Sequence, residues 1–237
     1  MPLIKFVAED AFTYKNVAKP YPAKESIPEW WKSMPAYGVS KNNLEGKFDL
    51  GPTRTTNATP KKCTPMLDSL LSGYIIPLWS DVFVRTKEVE DPQIFWRTNR
   101  DVFTEHGRVP VPAPVGYSEK VFKYMNKWNV VTPPGYSTLV IQPNGYLNTG
   151  MNAVSAIIDT DGDIHQLLPP LRIQNGFNGI IEKGTPVVQV IPFKRDDWDS
   201  EFVHLLDGEI NDIHDATFGS TLVNHYVKNT WKKKHFK

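Results

Sequence analysis

The run DTDGDIH at residues 159–165 contains the residue types best suited to acid–base or metal chemistry: Asp159, Asp161, Asp163 and His165. On an extended strand these alternating side chains share one face, and in a turn they can converge on a hard cation. An EF-hand calcium loop is excluded, because Pro170 stands at the twelfth position where a glutamate is required. The alternative is a polar turn between strands at 156–158 and 164–168, in which Asp favours the bend.

Two residues upstream of this run could contact a ligand. Asn144 and Tyr146 are near neighbours in the chain and could meet a base or a sugar. The alternative for Asn144-Gly145 is a hairpin turn, for which Asn-Gly is one of the strongest short-range signals. The sequence contains no phosphate-binding loop, no nucleophile elbow and no dinucleotide glycine pattern.

The elements that must position these residues are short strands. Three apolar, β-branched runs at 137–141, 154–158 and 187–191 are separated by Pro, Gly, Asn and Asp. Runs of this length with such breaks are typical of strands joined by tight turns. We therefore expect a mainly β fold, with residues 130–193 at the centre of its core.

Short helices are predicted towards both ends of the chain. SIPEWWKSMP predicts a helix at 27–34 with Ser26 as its N-cap, and TPMLDSLL predicts another at 64–71. A stripe of apolar residues at helical spacing predicts a C-terminal helix from about residue 216 to 233: Val223, Tyr226, Val227 and Trp231.

These elements suggest one domain over residues 1–237. Residues 1–62 are expected to form an N-terminal extension that contains the helix at 27–34. Residues 63–193 are expected to form the β core, and 194–237 a helical C-terminal extension. No internal repeat or low-complexity segment divides the sequence.

Composition excludes several classes of protein. Hydrophobic residues make up 40% of the 237 and aromatic residues 12%, which suffices for a packed core. Lys plus Arg number 27 against 26 for Asp plus Glu, so a dedicated nucleic-acid binder is not expected. Cys63 is the single cysteine, and no intrachain disulfide can form. No signal peptide is expected at the N-terminus, and no apolar run approaches the ~20 residues of a membrane span.

The central motifs resemble, in order, those of the dUTPase and dCTP deaminase superfamily. TPPGYSTLVIQPNG at 132–145 is similar to the strand that enters the family's Pro-Arg-Ser turn. AIIDTDGDI at 156–164 is similar to the strand end that carries the catalytic aspartate, and IIEKGTPVVQVIPF at 180–193 to the Gly-Asp-Arg-Ile-Ala-Gln strand. The resemblance implies a β-clip or jelly-roll core and a homotrimer. It also implies that Asp159 is the general base and that Gln189 stands at the position of the family's Gln.

The charged positions of those motifs differ. Pro143-Asn144-Gly145 replaces the family's Pro-Arg-Ser turn, and Thr185-Pro186 replaces its Asp-Arg pair. SGYIIPLWSDVFV at 72–84 stands where the family's Ala-Gly-x-Asp-Leu motif would begin, but its match, Gly73-Tyr74-Ile75-Ile76, lacks the metal-side Asp. Triphosphate chemistry needs cations and Mg²⁺ ligands to neutralise the leaving group. The sequence therefore predicts a non-catalytic binding or assembly protein without a cofactor.

Two alternatives stay open. One is a divergent nucleotide hydrolase or deaminase in which Asp159 is the base and Asp161 or Asp163 holds Mg²⁺. The other is a sensor of a small ligand such as a nucleotide, contacted by Asn144, Tyr146 and Gln189.

Four segments spread along the chain resemble a family from tailed phages and marine bacteria: SIPEWWK, KCTP, SGYIIPL and IIEKGTPVVQVIPFKRDDW. This resemblance implies no particular activity, but it suggests a phage structural or accessory role with virion partners. We expect a homo-oligomer, a trimer by resemblance, without membrane contact and with nucleic acid unlikely as a partner. Its expected location is the cytoplasm, or the virion if a phage encodes it.

Overall fold

The computed structural model describes residues 2–38, 58–86, 91–106, 112–164, 166–204, 208 and 226–235. Within these ranges the chain is mainly β, with several antiparallel sheets and few helices, which confirms the predicted fold class. The narrower expectation of a dUTPase-like β-clip or jelly roll stays a prediction. No helix among the described residues is long and apolar enough to cross a membrane.

Fourteen strands are present in the described ranges. In chain order they are β1 Lys5–Ala8, β2 Tyr21–Pro22, β3 Tyr74–Pro77, β4 Val82–Thr86, β5 Pro92–Trp96, β6 Phe103–Glu105, β7 Tyr117–Tyr124, β8 Trp128–Val131, β9 Tyr136–Ile141, β10 Met151–Ala153, β11 Ala156–Asp159, β12 Pro170–Gln174, β13 Gly179–Ile181 and β14 Pro186–Lys194. The same ranges contain the α-helices α1 Ala11–Asn16, α2 Glu29–Ser33 and α3 Thr64–Leu71.

The strands form four antiparallel sheets. The largest has the order β11-β9-β14-β3-β2, and a second has the order β10-β12-β7-β6. A three-stranded sheet has the order β13-β4-β5, and β1 pairs with β8. The three apolar runs of the sequence are thus β9, β11 and β14, which are hydrogen-bonded neighbours in the five-stranded sheet.

Contacts divide the chain into two compact units. The first unit combines Met1–Ser26 with Ser72–Asp196 and contains every strand from β1 to β14. The second unit combines Ile27–Leu71 with Asp197–Lys237 and contains α2 and α3. The predicted limits of the β core therefore change: β1 pairs with β8 and β2 with β3, so these strands belong to the core and not to an N-terminal extension. The prediction of a single domain stays a prediction.

The core of the first unit is an apolar cluster that includes residues from both larger sheets. Fully buried β-branched and aliphatic side chains come from β3, β9, β12 and β14: Ile76, Val140, Leu171, Ile173, Val188 and Val190. Tyr124 of β7 is buried with them, and its hydroxyl donates to the carbonyl of Pro77 at 2.7 Å. Burial raises the pKa of this phenol, so it stays protonated and holds β7 to the end of β3.

One buried charge lies within the four-stranded sheet. Arg172 of β12 is 1% exposed. Its guanidinium donates to the carbonyls of Ser118 at 3.2 Å and Pro112 at 3.1 Å. Because a buried guanidinium is tolerated only with its donors satisfied, these bonds fix the segment before β7 against β12.

The helices at 27–34 and 64–71 are confirmed as α2 and α3, but the predicted N-cap of α2 is wrong. Pro28 occupies that position without a side-chain hydrogen bond, and Ser26 ends a short 3₁₀ turn instead. Helix α1 lies in the predicted N-terminal extension, in which only the helix at 27–34 was expected. Asp10 caps it by accepting from the Thr13 amide at 2.7 Å.

Three further expectations need correction. Asn144-Gly145 does form a turn, but the strand after it, β10, pairs with β12 and not with β9, so no hairpin results. The predicted strand at 164–168 is absent from its described residues, and the chain reaches β12 only at Pro170. The predicted C-terminal helix, from about 216 to 233, lies outside the described residues as far as residue 225. Its described part is a π-helical turn, Tyr226–Thr230, and residues 231–235 are not helical.

Candidate functional site

Two of the predicted acids meet around an arginine that the sequence did not single out. Asp159 is the last residue of β11, and its Oδ1 accepts from Ser137 Oγ at 2.6 Å and from Arg195 Nη1 at 3.2 Å. Asp161 Oδ1 accepts from the same Nη1 at 3.0 Å, and its Oδ2 accepts from Arg195 Nη2. The amide of Gly135 donates to Asp161 Oδ2 at 2.7 Å. Arg195 therefore bridges both carboxylates.

The register of the five-stranded sheet explains this arrangement. Asp159 lies opposite Ser137 in the β11–β9 pair, and Lys194, the last residue of β14, lies opposite Tyr136. Arg195 follows directly, and its amide donates to the Gly135 carbonyl at 2.8 Å. The guanidinium therefore lies at the end of the sheet where β11 and β14 both finish.

The charges of this cluster do not suit a polyanionic ligand. Hydrogen bonds from Arg195 and from the Gly135 amide lower the pKa of Asp161 to about 2, so this carboxyl is ionised at neutral pH. Asp161 in turn raises the pKa of Arg195. Two carboxylates beside one guanidinium leave one negative charge, which repels a phosphate chain unless a metal compensates.

A metal site is not formed by the described residues, in which no group of three or more His, Cys, Asp or Glu side chains could hold an ion. Asp163 is exposed and lies outside the Arg195 cluster. His165 lies outside the described ranges. A Mg²⁺ ion held by Asp161 would have to displace the guanidinium that already binds both of its oxygens.

Buried hydroxyls support the turn that follows β11. The Oγ1 atom of Thr160 lies 2.7 Å from Thr132 Oγ1 and 2.9 Å from Thr138 Oγ1. The Thr160 carbonyl accepts from the Thr132 amide at 2.9 Å. These bonds fix the backbone between Asp159 and Asp161, so the cluster is held on a rigid support.

Gln189 and Asn144, both ligand candidates, come together, because the Gln189 side chain binds the backbone N–H of Asn144. Gln189 is 1% exposed in the middle of β14. Its Oε1 accepts from the Asn144 amide at 2.9 Å, and its Nε2 donates to the Ser72 carbonyl at 2.6 Å. The side chain therefore ties the turn after β9 to the chain entering β3, and offers little to a ligand.

Tyr146, the third candidate, makes contacts of the same kind. Its hydroxyl binds both the Oγ and the carbonyl of Ser26. Tyr21 of β2 also donates to Ser26 Oγ, at 3.3 Å. Burial raises the pKa of both tyrosines, which keeps the phenols protonated and suited to hydrogen bonding. This hydroxyl cluster connects β2 to the loop after β9.

The three-stranded sheet carries a surface that the sequence analysis did not identify. Ile180, Phe83 and Phe95 lie opposite one another across β13, β4 and β5. Their side chains are 63%, 47% and 49% exposed, whereas the alternating residues Val82 and Val84 face the core. We call Ile180, Phe83 and Phe95 the apolar row.

The apolar row borders a groove of about 460 Å³ whose rim is polar and includes Asp81, Arg97 and Thr98. Arg85 and Arg97 each lie two positions beyond a phenylalanine of the row, on its exposed face. Because β4 and β5 are antiparallel, these two arginines lie on opposite sides of the row. The groove is therefore aromatic at its centre, and its rim carries charges of both signs, Asp81 and Arg97.

A sequence signal for this surface exists. Val82-Phe83-Val84 is apolar at three successive positions, so a strand there must present apolar side chains to both faces. Phe95 and Trp96, adjacent in β5, likewise place apolar side chains on both faces of their strand. Apolar residues on both faces of a hairpin indicate that its outer face is either covered or available to a partner.

Comparison of the chain with protein-family models gives no match, and a search of curated proteins finds none either. The function therefore has to be inferred from the geometry of the two surfaces. The Asp159–Arg195–Asp161 cluster is occupied by its own ion pairs. The apolar row is open to solvent.

Proposed function

We propose that this chain is a non-catalytic binding and assembly protein that self-associates through the apolar row. The observation that carries the proposal is the exposure of Ile180, Phe83 and Phe95 side by side on one sheet face. Contiguous exposed apolar side chains rimmed by polar residues mark interaction sites, and aromatic residues and arginine are enriched at the centre of interfaces.

The chemistry at Asp159 supports assembly over catalysis. A general base must reach the proton that it removes, and a nucleotide hydrolase must also neutralise phosphate charge. Arg195, the cation beside Asp159, is already shared between two carboxylates. The ionic groups at this edge of the sheet are therefore satisfied by one another.

The proposal includes a dUTPase-like β core as the scaffold. The strands that carry the resembling motifs, β9, β11 and β14, are neighbours in one sheet, which supports this part of the proposal. A trimer follows from that resemblance alone. A role in a phage virion, or as a phage accessory protein in the cytoplasm, follows from the resemblance of the four segments described above.

Sedimentation velocity over a dilution series tests the proposal. The wild-type chain is expected to shift from monomer to a larger species as its concentration rises. The double variant Phe83→Thr/Phe95→Thr should stay monomeric, because threonine keeps the strand propensity but removes the apolar surface.

Ile157→Thr is the matched control, since Ile157 is 65% exposed on the short strand β11 and lies outside the apolar row. This variant should associate like the wild type. A wild-type chain that stays monomeric at every concentration, or a double variant that associates normally, would contradict the proposal. Thermal unfolding of both variants checks that each is folded.

A further inference from the structure

Charged side chains of both signs surround the apolar row in a defined pattern. On β4, the central strand of its sheet, Asp81 and Arg85 lie two positions to either side of the row. Arg97 lies two positions beyond the row on β5, and Glu182 two positions beyond it on β13. Because β5 and β13 are both antiparallel to β4, Arg97 and Glu182 lie on the same side of the row as Asp81. Arg85 therefore lies on the other side of the row.

These four side chains are exposed and available to a partner. Within the part of the chain that the structure describes, none of them forms an ion pair. The Lys183 amide donates to Asp81 Oδ1 at 2.6 Å. A carboxylate accepts several hydrogen bonds, so Asp81 can also accept from a guanidinium of another molecule.

The spacing of Asp81 and Arg85 makes this face complementary to itself. Each lies ~7 Å from the row along β4, because two strand residues span that distance. A two-fold axis that runs along the row, perpendicular to the strands, exchanges the two sides of the face. A second copy related by this axis lies row on row, with Arg85 of each copy over Asp81 of the other. The stacked sheets are then ~10 Å apart, a gap that apolar side chains fill in sheet packing.

The other two-fold arrangement is less favourable in charge. An axis that runs along the strands exchanges β13 with β5 and places Glu182 of each copy over Arg97 of the other. It also places Asp81 over Asp81 and Arg85 over Arg85, so two like-charge contacts oppose the two ion pairs. Like charges that face each other across an interface are unfavourable. Charge therefore selects the axis along the row.

We propose that two copies of the chain associate face to face about a two-fold axis along the apolar row, with Arg85 of each copy paired with Asp81 of the other. This inference rests on the proposed function and adds the partner surface, which is the same face of the second copy. Such an isologous contact closes at two copies. The trimer expected by resemblance would therefore require a different surface.

The size of the face predicts a weak contact. The outer face of three short strands buries less, from both copies together, than the ~1,600 Å² of a standard stable interface. The dimer should therefore form and dissociate with concentration. Added salt should raise its dissociation constant, because the ion pairs lie at the edge of the contact and are screened.

Charge reversal on β4 provides the test, with sedimentation velocity as the measurement. In a pair of Asp81→Lys copies, each new lysine faces Arg85, and in a pair of Arg85→Glu copies each new glutamate faces Asp81. Each variant alone should therefore raise the dissociation constant at least about tenfold. Mixed in equal amounts, with one variant fluorescently labelled, the two should associate about as tightly as the wild type. In the mixed pair the new lysine faces the new glutamate, and the native Arg85 faces the native Asp81.

Arg97→Glu is the matched control, since it reverses an exposed arginine of the same face. About the proposed axis, Arg97 lies over Gln93 of the other copy, because Gln93 is opposite Arg85 on the far side of the row. This variant should change the dissociation constant by less than about twofold. About the axis along the strands it would instead lose both of its ion pairs with Glu182.

The test does not depend on Asp81→Lys alone, which also removes the hydrogen bond to the Lys183 amide. Thermal unfolding shows whether each variant is folded. Arg85→Glu gives a second measurement, because added salt screens its repulsion from Asp81. Its dissociation constant should fall as salt is added, whereas that of the wild type should rise. A rise in both would overturn the inference.

The remaining outcomes separate this inference from the proposed function. Single reversals that associate like the wild type, while Phe83→Thr/Phe95→Thr does not associate, refute the two-fold arrangement and leave self-assembly through the row intact. The same holds if the two reversals do not rescue each other on mixing, or if Arg97→Glu associates as poorly as Arg85→Glu. A wild-type chain that is monomeric at all concentrations refutes both proposals.

Discussion

Arg195 donates to both carboxylate oxygens of Asp161, and its Nη1 lies 3.0 Å from Asp161 Oδ1. A paired guanidinium–carboxylate contact of this kind fixes orientation as well as charge. The Gly135 amide donates to the same carboxylate at 2.7 Å. The turn after β11, the turn before β9 and the end of β14 are thereby joined at one corner of the five-stranded sheet.

This contact predicts a pH-dependent contribution to stability. The pKa of Asp161 in the folded chain is about 2, below its ordinary value of 3.8. A carboxyl whose pKa is lowered by folding stabilises the fold above its unfolded value, and this stabilisation is lost as the pH falls through the folded value. Asp161→Asn should therefore melt at a lower temperature than the wild type at neutral pH. The difference should shrink between pH 4 and pH 2.

The comparison has to be made between variants, because Asp10 also titrates in this range. Hydrogen bonds from the Thr13 amide and from Arg100 lower the pKa of Asp10 to about 2. Its contribution is the same in the wild type and in Asp161→Asn, so it cancels in their difference. Asp163→Asn, at an exposed acid outside the ion pair, should melt like the wild type at every pH. A difference for Asp161→Asn that does not change with pH would contradict the prediction.

A second prediction concerns catalysis at Asp159. The net negative charge around Arg195 disfavours a nucleotide triphosphate, so neither dUTP nor dCTP should be turned over in the presence of Mg²⁺. The melting temperature should also be unchanged by these nucleotides, because a ligand that binds only the folded state would raise it. Phosphate release and thermal shift are the measurements. Turnover by the wild type that disappears in Asp159→Asn would instead establish the hydrolase alternative.

The strands of the core could be predicted because their signal is local. Residues 137–141 and 187–191 are apolar, β-branched and bounded by turn residues, and they form β9 and β14. In both cases the side chains needed for packing lie within the run itself. The turn at Asn144-Gly145 could likewise be predicted from its own residues. The pairing of the next strand, β10, could not, because its partner β12 is distant in the sequence.

The candidate site could be predicted only in part, because its decisive contacts are non-local. Asp159 and Asp161 were identified from their spacing, whereas Arg195 is brought to them by the registers of two strand pairs. The end of the C-terminal helix was misplaced for a similar reason. Trp231 Nε1 donates to Asp68 Oδ2 at 2.9 Å, and this contact between distant parts of the chain accompanies the end of the helical turn at Thr230.

A third prediction tests the bond between β7 and β3. Tyr124→Phe removes a buried hydroxyl that donates to the Pro77 carbonyl and accepts from the Trp79 amide at 3.1 Å. Both backbone groups then lose a partner inside the core, which should cost ~1–3 kcal/mol of unfolding free energy. Urea unfolding measures this cost. Tyr14→Phe is the matched control, since Tyr14 is 61% exposed, and it should change little. Equal stability of the two variants would show that water replaces the lost bonds.

A fourth prediction separates two reasons for glycine at a turn. Gly73 and Gly116 both have positive φ, at 70° and 87°, where a side chain is strained. A Cβ at Gly116 meets nothing within 4 Å, whereas at Gly73 it overlaps the carbonyl oxygen of Val190 in β14. Gly116→Ala should therefore cost only the backbone strain, ~1–2 kcal/mol.

Gly73→Ala should cost ~1–3 kcal/mol more than Gly116→Ala, because β3 and β14 must separate to admit the methyl group. Urea unfolding of both variants under the same conditions measures their free energies of unfolding, which can then be compared directly. The strained position should also disturb Gln189, whose amide donates to the neighbouring Ser72 carbonyl. If the two variants were equally stable, the close approach of Gly73 to β14 would not contribute to the fold, and backbone conformation alone would explain the glycine.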